Sequence, residues 1–262
     1  MERWALVSGL HGDLDLYERI QSDLKKQRGT AHLFVLGDMI SPDHNCDALL
    51  TRLRRPKRGD LQPNCIYGWW EEQLLVAYGY RGEPAQSTQN RTTSIQELRK
   101  AVDPAHVSWL ASLQFGFIEL DCGLIHGSSA DVGDPLKDTT SPLILLDRLT
   151  RLDVNRLFTA RSGQQFRLTL TGGQIQSNVK DPTGEQQNEQ AVPKRSVVGI
   201  GSGTNTPCMT RPAIVLSFSA LQRDHDHRTL ALAETEHKPA ERNAVKRNDP
   251  LIEKHSNRLA LE

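Results

Sequence analysis

The chain has no run of apolar residues long enough to cross a bilayer. Its opening residues, Met1-Glu2-Arg3-Trp4, lack the pattern of a secretory signal. Neither charge is in excess: 32 Lys and Arg balance 32 Asp and Glu, so no overall field draws the chain to nucleic acid or anionic lipid. The four cysteines, Cys46, Cys65, Cys122 and Cys208, are scattered and form no Cys-x-x-Cys pair. They read as reduced, mostly structural thiols. Together these absences predict a cytoplasmic protein with no nucleic-acid partner and no membrane insertion. No internal repeat is present, which excludes solenoids and propellers. Aromatic residues are scarce, at 5% of 262, yet two of the four tryptophans stand side by side in "IYGWWEEQLL" (66–75).

What is present reads as a soluble globular chain, 37% hydrophobic and 24% charged. The first half alternates strand and helix signals. Trp4–Ser8 is a short apolar run ended by "GLHGD", and Asp13 caps a helix whose Leu16, Ile20 and Leu24 share a face. His32–Leu36 and Asn64–Tyr67 are two further buried-type strands, ended by "GD" and by Gly68. Ser94–Glu97 has the form of a capping box, and Asp103-Pro104 places a cap and a first-turn proline before "AHVSWLASL". From Phe115 strands dominate: "FGFIEL", "GLIHGS", then a helix opened by Ser141-Pro142 and a short run at Leu157–Thr159. "QFRLTL", a Gly172-Gly173 turn and "QIQSN" predict a hairpin. "SVVGIGSG", "AIVLSFSAL" and "RTLALAETE" supply three more strands, with "QRDHDH" as a turn. Residues 1–237 form one domain, with 180–195 as a polar mobile loop and 238–262 as a charged C-terminal tail.

Chemistry-capable residues gather just past the strand ends, where sites form in α/β proteins. The spots are "SGLHG" (8–12), "LGD" (36–38), "YGWWE" (67–71), "LIHGS" (124–128) and "FTARSGQQF" (158–166). Their order and spacing resemble the calcineurin-like metallophosphoesterase superfamily over roughly residues 4–237, with "GIGSGTNTP" where that family has an Asn-Pro-Gly-Ser-like turn. The resemblance implies an α/β fold, a four-layer α/β/β/α sandwich with two mixed sheets. It also implies two divalent metals that clamp a phosphate ester and activate a water. The family motifs run Asp-x-His, Gly-Asp, Gly-Asn-His-Asp/Glu, a histidine, then Gly-His-x-His.

Carried over residue by residue, the resemblance leaves few ligands. Gly9 stands at the first aspartate position and His11 keeps the histidine; Asp38 keeps the metal-bridging position. Trp69 and Trp70 replace the asparagine ligand and the general-acid histidine, while Glu71 keeps the acidic residue. His126 survives, and Ala160-Arg161-Ser162-Gly163 replaces the last motif, so Arg161 and Gly163 stand where histidines are expected. Each metal would keep two protein ligands. An indole N–H does not donate a proton as imidazolium does. The implied reading is a catalytically degenerate relative, a pseudoenzyme that binds a protein partner or a small anionic ligand. No cofactor is expected, or at most one weakly bound divalent metal (Mn, Fe or Zn) held by His11, Asp38 and His126. The alternatives are a divergent metal-dependent phosphatase or phosphodiesterase, and a structural subunit of a larger assembly.

Arg161 has two readings: an ion pair with Asp38, Glu71 being a further partner, or a side chain directed into solvent. The basic run "RLRRPKR" (52–58) is a solvated helix end or a dock for an acidic partner. "GIGSG" (199–203) is a strand-end turn, "DHDH" (224–227) a solvated turn, and "GSSADVGD" (127–134) a polar loop beside the site.

Overall fold

The computed structural model describes residues 2–26, 29–82, 91–171 and 194–202, and beyond them the backbones of two strands, 214–219 and 231–234. The chain begins with β1 (Glu2–Val7), α1 (Leu14–Lys26), β2 (Thr30–Leu36), α2 (Asp47–Arg54), β3 (Pro63–Ile66) and α3 (Trp69–Ala77). Then follow α4 (Arg91–Ala101), α5 (Pro104–Ala111), β4 (Gly116–Glu119), β5 (Cys122–Ile125), α6 (Pro142–Leu152) and β6 (Arg156–Thr159). The remaining described strands are β7 (Gln165–Leu170), β8 (Arg195–Ile200), β9 (Ile214–Ser219) and β10 (Ala231–Glu234).

Local signals explain most boundaries. Asp13 Oδ1 accepts the Leu16 N–H at 2.8 Å and starts α1. Asp103 Oδ1 does the same for Ala105 at α5, with Pro104 in the first turn. The Ser94 capping box is a correction. Helix α4 already runs from Arg91, so Ser94 and Glu97 sit within it. A Ser-x-x-Glu spacing is equally compatible with a helix interior, and the three residues upstream extend the turn. The hairpin partner expected for β7 at 174–178 lies outside the described residues, as do the 224–227 turn and the 238–262 tail. So does the 180–195 loop up to 193; its end at Arg195 already belongs to β8. Within the described residues β7 pairs antiparallel with β8.

Two five-stranded mixed sheets result, ordered β10-β9-β1-β2-β3 and β4-β5-β6-β8-β7. In the first, β1, β2 and β3 are parallel, β9 runs antiparallel to β1, and β10 pairs antiparallel with β9. In the second, β5, β6 and β8 are parallel and β4 and β7 antiparallel edges. The strand period of two divides the side chains between layers. Trp4, Leu6, Phe34 and Leu36 face Leu124, Phe158 and Val198 between the sheets. Ala5, Val7, Leu33 and Val35 face Tyr17, Leu50, Leu74 and Leu110 from the helices. Leu145 and Leu149 of α6 close the opposite face on Leu157 and Val197. The architecture is therefore the expected α/β/β/α sandwich. Its parallel strands β1, β2, β5 and β6 all end beside the 8–12, 36–38, 124–128 and 158–161 segments.

Part of the basic 52–58 run is structural. Arg52 is 8% exposed, faces the Tyr17 ring at 5.8 Å and pairs with Asp60, which also takes Lys25 at 2.8 Å. Lys57 pairs with Glu18. Burial alone would raise the Asp60 carboxyl, but its hydrogen bonds with Lys25 and Arg52 outweigh that and hold it below the ordinary range. A depressed carboxyl stabilises the fold above its unfolded pKa and loses that contribution as pH falls through the folded one. Asp60→Asn is thus expected to cost about 1–3 kcal/mol near neutral pH, because the buried Arg52 loses its nearer counter-charge and keeps only Glu18, at 3.6 Å. Urea denaturation along a pH series should show the gap between the two proteins closing as pH falls below the carboxylate range.

Candidate functional site

The site forms where the loops after β1, β2, β3, β5 and β6 meet. Tight backbone contacts bring them together: Gly9 N–H donates to Gly37 O at 3.1 Å, and His11 N–H to Asp38 O at 3.1 Å. A Cβ on Gly37 would lie 2.4 Å from Gly68 Cα, and one on Gly68 would lie 2.3 Å from the Asp38 nitrogen. Only glycine permits that approach. His11 and Asp38 themselves take left-handed backbone, φ 47° and 51°, which is uncommon for residues bearing a Cβ and typical of sites.

Glu71, fully buried at the start of α3, joins these loops. Its Oε2 accepts the Asp38 N–H at 2.9 Å and the Gly68 N–H at 2.7 Å, and its Oε1 accepts the Ile40 N–H at 3.0 Å. Burial first, and the Asp38 charge second, push the Glu71 carboxyl up to about 7 against the pull of those N–H donors.

Asp38 lies between two partners. Its Oδ1 accepts the Trp70 N–H at 3.1 Å, and its Oδ2 is 3.4 Å from His126 Nε2. His126 Nδ1 donates to Leu36 O at 2.7 Å, which fixes the ring and turns Nε2 toward Asp38. Burial alone would raise Asp38 and lower His126; their mutual attraction reverses both, taking Asp38 down to about 2 and His126 above its usual value. His11 is shifted downward by burial, with Asp38 and the Ile40 backbone opposing.

The structure brings His11, Asp38, Glu71 and His126 together and sets the remaining residues around them. The Trp69 indole lies under Arg161, whose Cζ is 4.9 Å from the ring. On the 127–134 loop a Cβ at Gly133 would come within 2.5 Å of Trp69 Cζ3, so that loop is also packed against the indole. Trp70 turns its ring into the helix-side core instead and meets Asp38 only through its backbone. Arg161 N–H and Ala160 N–H both donate to His126 O, at 2.7 and 2.8 Å. Neither reading of Arg161 describes it: no ion pair with Asp38 or Glu71 forms, and the guanidinium stacks on an indole, a cation–π contact. Gly163 closes the turn by donating to Ala160 O at 2.9 Å, with φ +66°. Behind Gly9, a Cβ would come within 2.2 Å of Ser202 Oγ, so the Ser202 side chain already occupies the space a larger residue needs. No group of three or more His, Cys, Asp and Glu side chains is arranged to hold a metal ion among the described residues.

Comparison with known proteins agrees at the level of architecture. No protein-family model and no curated sequence matches the chain. Among solved structures, a metallophosphoesterase from Sphaerobacter thermophilus aligns with a TM-score of 0.51 at 13% identity, covering 77% of this chain and 76% of its own. The chain has a metallophosphoesterase fold. A hypothetical protein from Pyrococcus horikoshii aligns with a TM-score of 0.53 at 12% identity, over 91% and 89% of the two chains. Both likenesses are of fold alone.

Two features of the site escaped sequence reasoning. Ser202 lies in "GIGSG", and nothing local signals that its hydroxyl reaches Gly9. Glu71 stood out as an acidic motif residue, but its bonds to the Asp38 loop are made across 33 residues of chain. The expected consequence is structural. Glu71→Gln should cost about 1–3 kcal/mol, because the amide nitrogen cannot accept from a buried N–H, and Glu71→Ala should cost more. A carboxyl raised on folding stabilises most below its unfolded pKa and loses that contribution as pH rises through the folded one. Urea denaturation should therefore show the wild type's advantage over Glu71→Gln shrinking between about pH 5 and the folded value of about 7.

Proposed function

We propose that this metallophosphoesterase fold works by binding, engaging a protein partner or a small anionic ligand in its remodelled cleft, and does not hydrolyse phosphate esters. The observation that carries the reading is the stack of Arg161 on Trp69. An indole and a fixed cation stand at motif positions where the resemblance calls for neutral or anionic metal ligands. Ser202 supports it from the other side, since an aspartate at position 9 would meet its hydroxyl. Two metals need several oxygen and nitrogen ligands converging from different loops. The residues present do not fit that centre: Asp38 and His126 face each other, and the side chains added around them are aromatic or cationic. Proton donation to a leaving group is likewise unsupported at position 70, where the ring is packed into the core.

What remains suits recognition. Arg161 is partly exposed and has no carboxylate partner among the described residues, so its charge is available to an anionic group. The free thiols of Cys46 and Cys122 are buried, and no described helix is long and apolar enough to cross a membrane, which supports a cytoplasmic placement for this binding role.

The test is hydrolysis of bis(p-nitrophenyl) phosphate by the purified chain with added Mn²⁺. The expected result is no turnover above the buffer rate and no change on Asp38→Ala. Turnover that disappears with Asp38→Ala, together with stoichiometric Mn, Fe or Zn in the purified protein, would establish the divergent phosphoesterase instead.

A further inference from the structure

Away from the cleft, a groove of about 350 Å³ runs between the outer edge of β3 and the C-terminal end of α5. Its apolar walls include Leu53, Trp109 and Phe117, and Arg54, Asn64 and Gln114 supply polar groups. The lining is thus mixed, with apolar side chains interleaved with polar groups that could bond to a ligand's backbone or carboxylate.

Two observations say what would fill it. The first is the strand edge. In the parallel pairing of β3 with β2, Asn64 and Ile66 alternate with Pro63 and Cys65. Tyr67 N–H points away from β2 and donates to Gln114 O at 3.3 Å. By the strand's period of two, Cys65 N–H and Pro63 C=O point the same way, toward the groove. Gln114 bridges Ile66 on this edge, and the stretch before it, Pro63–Cys65, has no strand partner on that side among the described residues; an edge of this kind accepts a short extended backbone. The second is charge. Arg54 lies with its Cζ 5.9 Å from the Trp109 ring, and its Nη1 is 3.1 Å from His106 Nδ1. Those contacts hold the guanidinium in place without neutralising it. Arg54 has no carboxylate partner among the described residues, nor have the exposed Arg55 and Arg58 that follow it. Arg52 and Lys57 of the same run are already paired. The basic run is therefore divided between an internal ionic cluster and unpaired arginines, one of which lines the groove.

We infer that the β3–α5 groove is a docking surface for an extended, acidic peptide segment of a partner protein. Its backbone lies along the edge of β3, and a carboxylate side chain meets Arg54. This surface is independent of the Asp38 cleft and of whether that cleft binds or catalyses.

The test is selection of random dodecapeptides from a displayed library on the full chain, followed by fluorescence polarisation with the enriched sequences. Peptides rich in Asp and Glu should be recovered. Arg54→Glu should weaken them at least about tenfold, the size of a lost charge-assisted hydrogen bond. Ser112→Trp, which fills the groove from an exposed position and leaves the charge intact, should weaken them too, while Arg161→Glu in the cleft should not. Failure to enrich any sequence, enrichment of peptides without carboxylates, or acidic peptides insensitive to both groove variants would overturn the inference. So would tighter binding of a labelled oligouridylate that Arg54→Glu abolishes, which would make the groove a phosphate-backbone site.

Discussion

The site depends on one buried carboxylate. Glu71 collects N–H groups from Gly68, Asp38 and Ile40, and so joins the loop after β3 to the loop after β2. Buried backbone donors must find acceptors, and here the strand ends leave them facing a dry interior. The paired glycines at 37 and 68 let the backbones come close enough for a single side chain to serve both loops. The left-handed backbone of Asp38 and the placement of its carboxylate between Trp70 N–H and His126 go with that clamp.

Around this backbone geometry the side chains pair with one another. Asp38 has His126 Nε2 at 3.4 Å beside its carboxylate, and Arg161 finds an aromatic face in Trp69. The two contacts are of different kinds. Burial strengthens the attraction within a carboxylate–imidazole pair but costs both groups their hydration, whereas a cation over an indole keeps much of its charge for another ligand. The cleft thus holds the Asp38–His126 pair inside and, at Arg161, a partly exposed guanidinium with no carboxylate partner among the described residues. That arrangement is the basis of the proposed binding role.

The fold was legible because its signals are local or periodic. Asp13 and Asp103 cap helices as their spacing implies, and the alternation of Trp4, Ala5, Leu6 and Val7 divides them between two cores. The gathering of His11, Asp38, Glu71 and His126 was legible from strand-end position and from the family resemblance. Contacts set by long-range packing were not. Ser202 reaches Gly9 from the turn after β8, and the stack of Arg161 on Trp69 depends on where the loop at Gly133 settles. Ser94 failed in the opposite direction, as a local cap signal overridden by helix continuing on both sides.

The most direct measurement is anomalous diffraction from crystals of the full chain grown with excess Mn²⁺. The account predicts no anomalous peak beside Asp38, with the Trp69 indole stacked under Arg161 and the Ser202 hydroxyl behind Gly9. A pair of peaks a few ångströms apart between Asp38 and His126, with Trp69 swung out of the cleft, would contradict it.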